Sequence, residues 1–432
     1  MTPSFNHHIK SAVIRQIPCH PHAINRMQIN ANATDLRGSL FSKYFILFLL
    51  AFSFNLHAQE KERNWRLNGH LQLLQEVWIP PGTSQWQTIT ALGNRLDFRW
   101  NPGNSFAFHA GVRNNMNLGQ MVELYYPYYA EMSTIEEGLF DLTKLWVSDS
   151  SYYFYSNIDR LNVKWKTGKF EATVGRQRIN WGINLVWTPN DIFNSFNYFD
   201  FDYVERPGCD AILLQYYTGS TSSFQFGFKA DQHLYAIDSI YKITTALMYR
   251  FNRWGYDFQF LGGIMREDAV AGLGWSGDIK GAGFNGEASY FLDKKQLFDT
   301  TGAFVGSMEL NYMLKNGIFL QGGYLYNSAG TTGPAGWGTA LIYAIDVSAK
   351  NFTKARNSLF AQASYPISPL VNGTAALIFN PNDKSGFAGP SLDISLTNNI
   401  SLFLIGQIFW GKNMTEFGDY GTLVYWRLKW NF

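Results

Sequence analysis

The chain has 432 residues but only two cysteines, Cys19 and Cys209, too few and too far apart for a disulfide scaffold or a cysteine-rich zinc site. Charge is scarce as well, at 16% of residues with a net value of +2, which excludes the strongly basic surface of a nucleic-acid-binding domain. Long apolar runs are missing. The one stretch that resembles an inserted helix, Tyr44 to Phe54, is too short to span a bilayer comfortably. Helical periodicity does not take its place, and no pattern calls for a metal or a cofactor. What the chain has in quantity is aromatic residues, 17% of the total, and 39 glycines. That composition argues against disorder and leaves a large core or a lipid-facing surface.

Arg37 and Lys43 precede the apolar stretch and Leu56-His57-Ala58 follows it. This is the order of n-region, h-region and cleavage site in a secretory signal peptide, with cleavage expected after Ala58. The segment before it is long for an n-region, so either Met1 or Met27 is the start. Removing residues 1–58 takes away Lys10, Arg15, Arg26, Arg37 and Lys43 against Asp35 alone, which leaves a slightly acidic mature chain. Residue 59 is Gln, so no lipid anchor is expected, and no later segment would stop the chain in the inner membrane.

Beyond the leader the pattern has a period of two. At the C-terminus Thr422, Val424, Trp426, Leu428, Trp430 and Phe432 share one face, while Tyr425, Arg427, Lys429 and Asn431 share the other. Such a strand has one apolar and one wet side. Leu92, Leu96, Phe98 and Trp100 alternate in the same way with Arg95, Asp97 and Arg99. The turn Asn101-Pro-Gly-Asn104 and a second alternating run from Phe106 to Val112 follow, completing a hairpin.

Further hairpins are expected at 155–167 with 169–180, 210–218 with 222–231, 239–251 with 255–266, 270–280 with 282–292, 303–314 with 317–327, 357–366 with 371–380, and 387–397 with 399–410. With 65–78 and 420–432 the pattern predicts an all-β fold, an antiparallel up-and-down transmembrane barrel of about 18 strands, or 16 if one hairpin is miscounted. Tight turns alternate with mostly longer connections (114–154, 181–209, 328–356 and 411–419), as short periplasmic turns and long outer loops would. The connection at 267–269 is short for an outer loop. A secreted soluble β-sandwich or propeller is the competing class.

Several motifs carry less than they first suggest. Gly272-Leu-Gly274-Trp-Ser-Gly277 matches a dinucleotide fingerprint but sits inside a strand, where glycines that bend a barrel are the simpler reading. Cys19-His20-Pro21-His22 lies upstream of the cleavage site. Only His70, His109 and His233 remain after cleavage, with no local sign of a serine nucleophile, so no catalytic site is expected. The stretch Gly175-Arg-Gln-Arg-Ile-Asn-Trp-Gly182 is more distinctive. Parity with Phe170, Ala172 and Val174 would turn Arg176 and Arg178 toward lipid, where arginine is costly, so a β-bulge near Gly175 is expected to bring them inward.

A final aromatic on an aromatic-rich strand resembles the terminal assembly signal of Gram-negative outer-membrane barrels, here Trp426, Leu428, Trp430 and Phe432. The Gly-Arg-Gln strand end followed by Trp-Gly and a loop with Pro and Asp resembles porin-like outer-membrane proteins. The resemblance in barrel pattern covers the mature chain, and the motif covers about 175–210. Alginate-export barrels share a similar Gly-Arg-Gln strand, without a residue-by-residue match to their substrate residues. The resemblance implies a porin-like fold, a place in the outer membrane among its lipids, insertion by the barrel-assembly machinery, and passage of small solutes. A homo-oligomer is an open possibility. Plugged, energised receptors are excluded, since only Gln59–Asn64 precede the first strand.

Register assigns the pore lining. Arg95, Arg99, Arg113, Arg160 and Lys164 come from the first four strands as a basic group, joined by Arg176 and Arg178 if the bulge exists. Asp278, Glu287 and Glu309 form an acidic group on the far side. Inward charges that merely solvate the lumen are the plain alternative. The 114–154 segment, with Glu123, Glu131, Glu136, Glu137 and Asp141, either folds inward against the basic group or stays outside. The expected function is passive diffusion of small polar or anionic solutes. The alternative is a non-conducting or export barrel that recognises glycans or a partner protein through aromatic loops (Tyr125–Tyr129, Tyr152–Tyr155 and Tyr198–Asp202).

Overall fold

The computed structural model describes residues 63–136, 138–196, 198, 206–232, 241–294, 302–335 and 347–432. The expected leader, His233, Glu137 and 199–202 of the third aromatic loop lie outside the described residues.

The period of two becomes one antiparallel sheet that closes on itself. Its strands are β1 (Trp65–Ile79), β2 (Gln87–Trp100), β3 (Phe106–Leu118), β4 (Thr143–Ser148), β5 (Tyr152–Thr167), β6 (Phe170–Gln177), β7 (Cys209–Tyr217), β8 (Ser223–Gln232), β9 (Tyr241–Arg253) and β10 (Tyr256–Met265). They continue with β11 (Asp268–Ile279), β12 (Ala282–Asp293), β13 (Ala303–Met313), β14 (Phe319–Asn327), β15 (Asn357–Ser368), β16 (Val371–Asn380), β17 (Ser385–Ser395), β18 (Ile400–Trp410) and β19 (Thr422–Asn431). Consecutive wall strands are neighbours, and β1 pairs with both β2 and β19, so no edge is left open. Eighteen strands run the wall, and β4 is a short addition. The short Arg266–Glu267 connection between β10 and β11 is a true turn at the end of the barrel that carries the long loops.

The outer face is apolar because the strands alternate. Val424, Trp426, Leu428, Trp430 and Phe432 are each more than a third exposed, as are Leu161, Val163 and Trp165 on β5. A polar cluster interrupts this belt. Asn94, Asn114 and Ser156 stand side by side on β2, β3 and β5 and bond one another, Asn114 Nδ2 donating to Asn94 Oδ1 at 3.2 Å and Ser156 Oγ to Asn114 Oδ1 at 2.6 Å. Mutual pairing is what lets polar side chains stand on a lipid-facing wall.

Among the departures from regular pairing, two concern Arg176. Strand β6 reaches only Leu161 of β5, and the remainder of that β5 edge, Tyr153 to Asn157, is covered by β4 from the preceding loop. Gly138 of the same loop bridges to Asp231 of β8, so segment 138–148 patches the wall above the two short strands β6 and β7. The expected bulge near Gly175 is corrected: β6 keeps an unbroken register with both neighbours. The register shift lies at Asp159, where β5 meets β3 at Gly111 and Val112. Gly175 acts through its backbone instead, with φ of 114°, and a Cβ there would lie 2.2 Å from the Leu161 carbonyl oxygen.

Candidate functional site: the barrel lumen

Two long connections fold into the barrel. The first, between β3 and β5, carries α1 (Gln120–Leu124) and α2 (Tyr128–Ser133). Met121, Val122 and Ala130 pack on Ile89 of β2 and Tyr153 of β5 in a small apolar contact. The second, from Arg178 to Gly208 between β6 and β7, buries Ile179, Trp181, Val186, Trp187, Ile192 and Phe193 against the inner wall of β8 to β15. Its Trp181 and Phe193 rings meet edge to face at 4.8 Å.

A buried loop must satisfy its backbone N–H groups, and two carboxylates do this. Glu287 on β12 accepts from the N–H of Ile183 at 2.5 Å, of Asn184 at 2.7 Å and of Asn190 at 2.8 Å. Glu309 on β13 accepts from Leu185 at 2.9 Å and Val186 at 3.0 Å, and from Gln321 Nε2 at 2.9 Å. Ser289, Ser307 and Gln259 complete the attachment by donating to the carbonyls of Pro189, Trp187 and Trp181. Glu287 is 1% and Glu309 2% exposed, so neither presents charge to the open lumen. The pore-lining role expected for them is corrected to that of loop anchors.

The glycines of the false dinucleotide motif belong to the same arrangement. A Cβ on Gly272 would lie 2.7 Å from Asn190 Oδ1, and one on Gly274 would lie 2.7 Å from Ile183 Cδ1. They leave room for the loop on the inner face of β11, where the sequence suggested bending.

Arg176 also has a structural task. Its guanidinium holds Asp210 of β7 at 2.7 and 2.8 Å, Glu136 at 2.9 Å and the Phe140 carbonyl at 2.8 Å, tying the wall patch to β6 and β7. It is 4% exposed and borders the main cavity. Arg178 enters the second loop half-buried, and its pKa is lowered by burial and by Arg160. Asp191, deep in that loop, receives the Trp181 N–H at 3.4 Å, and burial raises its pKa to about 6. Arg206 lies over the Phe196 ring, 3.1 Å from its centre, and burial pushes its pKa down to about 10.

The other basic candidates separate by their partners. Arg95 is buried between Asp97 at 2.6 Å and Asp159 at 2.5 Å, and Asp97 also contacts His109. Arg160 donates to the carbonyls of Asp159 and Arg206, both at 2.7 Å. Lys164 pairs with Glu171 at 2.7 Å near the turn end. Arg99 is exposed at that end, and Arg113 borders the main cavity. Asp278 is exposed at the turn-end rim, where its Oδ1 accepts the Gly281 N–H at 3.1 Å and caps a turn, a correction to its expected place facing the basic group.

Open space remains between the two inward-folded connections. The main cavity, about 950 Å³, includes Arg113, Arg206, Lys242 and Arg427 in its lining. Lys229 and Arg266 on its wall pair with Asp231, and Lys350 pairs with Asp268 at 2.9 Å. A smaller cavity at the turn end, about 440 Å³, is lined by His70, Arg95, Asp97 and Lys429 among others. No group of His, Cys, Asp and Glu suited to a metal ion occurs among the described residues.

No family model matches the sequence, and no curated protein is detectably similar to it. The fold does have relatives among solved structures. OccAB4 of Acinetobacter baumannii superposes with a TM-score of 0.56 at 11% identity, covering 86% of this chain and 99% of that one. OccK7 (OpdD) of Pseudomonas aeruginosa gives 0.54 at 11%, over 86% and 99%. The outer membrane protein OprD of Pseudomonas aeruginosa gives 0.53 at 10%, over 87% and 95%. At these identities the likeness establishes the fold, a closed transmembrane-type barrel of 18 strands.

Proposed function

We propose that this protein is an outer-membrane, porin-like channel through which small polar or anionic solutes diffuse. The observation that carries this reading is the cavity of about 950 Å³ inside a closed, lipid-belted barrel, walled by charged side chains and narrowed by two inward-folded connections. The likeness to an outer membrane protein supports the location. Residues 1–58 are the export signal in this reading, and β19 is the strand that the assembly machinery engages. Fractionation with N-terminal sequencing should place a heat-modifiable protein that begins near Gln59 in the outer membrane. The purified protein should conduct in a planar bilayer. Soluble periplasmic recovery, or a silent bilayer, counts against the reading.

Selectivity separates the arginines by their partners. Arg99→Glu, exposed at the mouth, should move the reversal potential toward cations under a salt gradient and do so less at high salt. Arg95→Glu should mainly lower the yield of folded barrel, because it sets a third carboxylate beside Asp97 and Asp159. Equal yields for the two variants would remove that distinction.

A further inference from the structure

Across the lumen from the second loop lies a cavity of about 270 Å³ bounded by β1, β2, β3, β5, β18, β19 and α2. Aromatic rings dominate its lining: Tyr129 of α2, Tyr153 and Tyr155 of β5, Phe403 of β18 and Tyr425 of β19. Tyr153 and Tyr155 lie nearly parallel at 6.1 Å between centres. The Arg427 guanidinium stands 5.3 Å from the Phe403 ring centre. Glu76 completes the site. Register puts Glu76 beside Tyr425 and Arg427 beside Leu74, so the acid and the base are diagonal neighbours on one inner face.

We propose that this cavity is a saturable subsite for a neutral cyclic sugar, deepening the channel reading on which it rests. The chemistry of the lining selects that class. Flat rings match the C–H face of a pyranose, whereas Asn117 and the lone pairs that the Tyr153–Ser133 and Tyr425–Gln407 bonds leave on these hydroxyls suit a rim of sugar hydroxyls. A small ion would leave the aromatic faces unused. An anion gains Arg427 but meets Glu76, so the two opposite charges favour a solute with no net charge. Tyr155, Phe403 and Arg427 also line the main cavity, so a solute held here stands on the permeation route.

Glucose and sorbitol, nearly equal in size and hydroxyl content but only one of them cyclic, provide the test. Glucose should block single-channel current in planar bilayers with saturation, and sorbitol should lower it only in proportion to viscosity. Tyr129→Ala and Phe403→Leu should each weaken the glucose block by about two- to tenfold, the range of a lost aromatic contact. Calorimetry on the detergent-solubilised protein reads binding without requiring conduction. Heat released with glucose and not with sorbitol supports the subsite even if the barrel is silent, which would overturn the channel reading alone. Identical behaviour of the two polyols in both measurements, or variants that bind glucose unchanged, overturns the subsite.

Discussion

Replacing Glu287 and Glu309 together by alanine is expected to free the second inward loop and produce a wider, noisier pore. Five backbone N–H groups, those of Ile183, Asn184, Leu185, Val186 and Asn190, would lose their acceptors at once. A buried donor left without a partner costs about 1–3 kcal/mol, and hydrogen bonds to charged groups lie at the upper end of that scale. The loop cannot stay in place at such a cost. The wall can, because its strands pair along their lengths without help from the loop. Heat-modifiability should therefore persist, while single-channel conductance rises and the current flickers. The single variants should fall between, with Glu287→Ala the larger because it serves three of the five donors. Unchanged conductance in the double variant would mean that Ser289, Ser307 and Gln259 hold the loop by themselves.

That anchoring explains where sequence reading stopped. Wall strands were legible because alternation is a local property: the expected hairpins agree with the observed strands to within a few residues at most ends, and the count of 18 holds. The inward direction of Glu287 and Glu309 was legible for the same reason. Their partners were not, since they are backbone N–H groups, which every residue but proline carries and no side-chain pattern marks. A faint signal was present in Gly272 and Gly274, two inward-facing glycines on one strand that make space for another segment. Arg176 shows the other limit. Parity made it an anomaly, but its resolution depends on Glu136 and Asp210, which lie 40 and 34 residues away in the chain. The inward fold of 114–154 was open on sequence alone, because its acids suggested an electrostatic contact. Most of the contact is instead apolar, through Met121, Val122 and Ala130, and among the described acids of the segment Glu136 reaches a basic partner at Arg176.

Deleting Phe432, or changing Trp430 and Phe432 to aspartate, should all but abolish the assembled barrel, while changes at Lys429 and Asn431 should leave most of it. Closure depends on this end of the chain. Phe432 and Gly69 exchange both backbone hydrogen bonds at 2.9 Å, and β19 continues along β1 from His70–Asn431 to Ile79–Thr422. The Phe432 ring lies over Gly69, where a Cβ would sit 2.7 Å from it, and the Trp430 ring is 5.4 Å from that of Phe432. Loss of the last residue thus removes the first rung of the closing ladder and the aromatic cover of its glycine. Aspartates at 430 and 432 would put two charges on the lipid-facing side, whereas Lys429 and Asn431 face the wet interior, where polar replacements meet water. The measurement is the outer-membrane yield of heat-modifiable protein for each variant at matched expression. Similar yields for the two sets would mean that closure does not depend on the terminal aromatics.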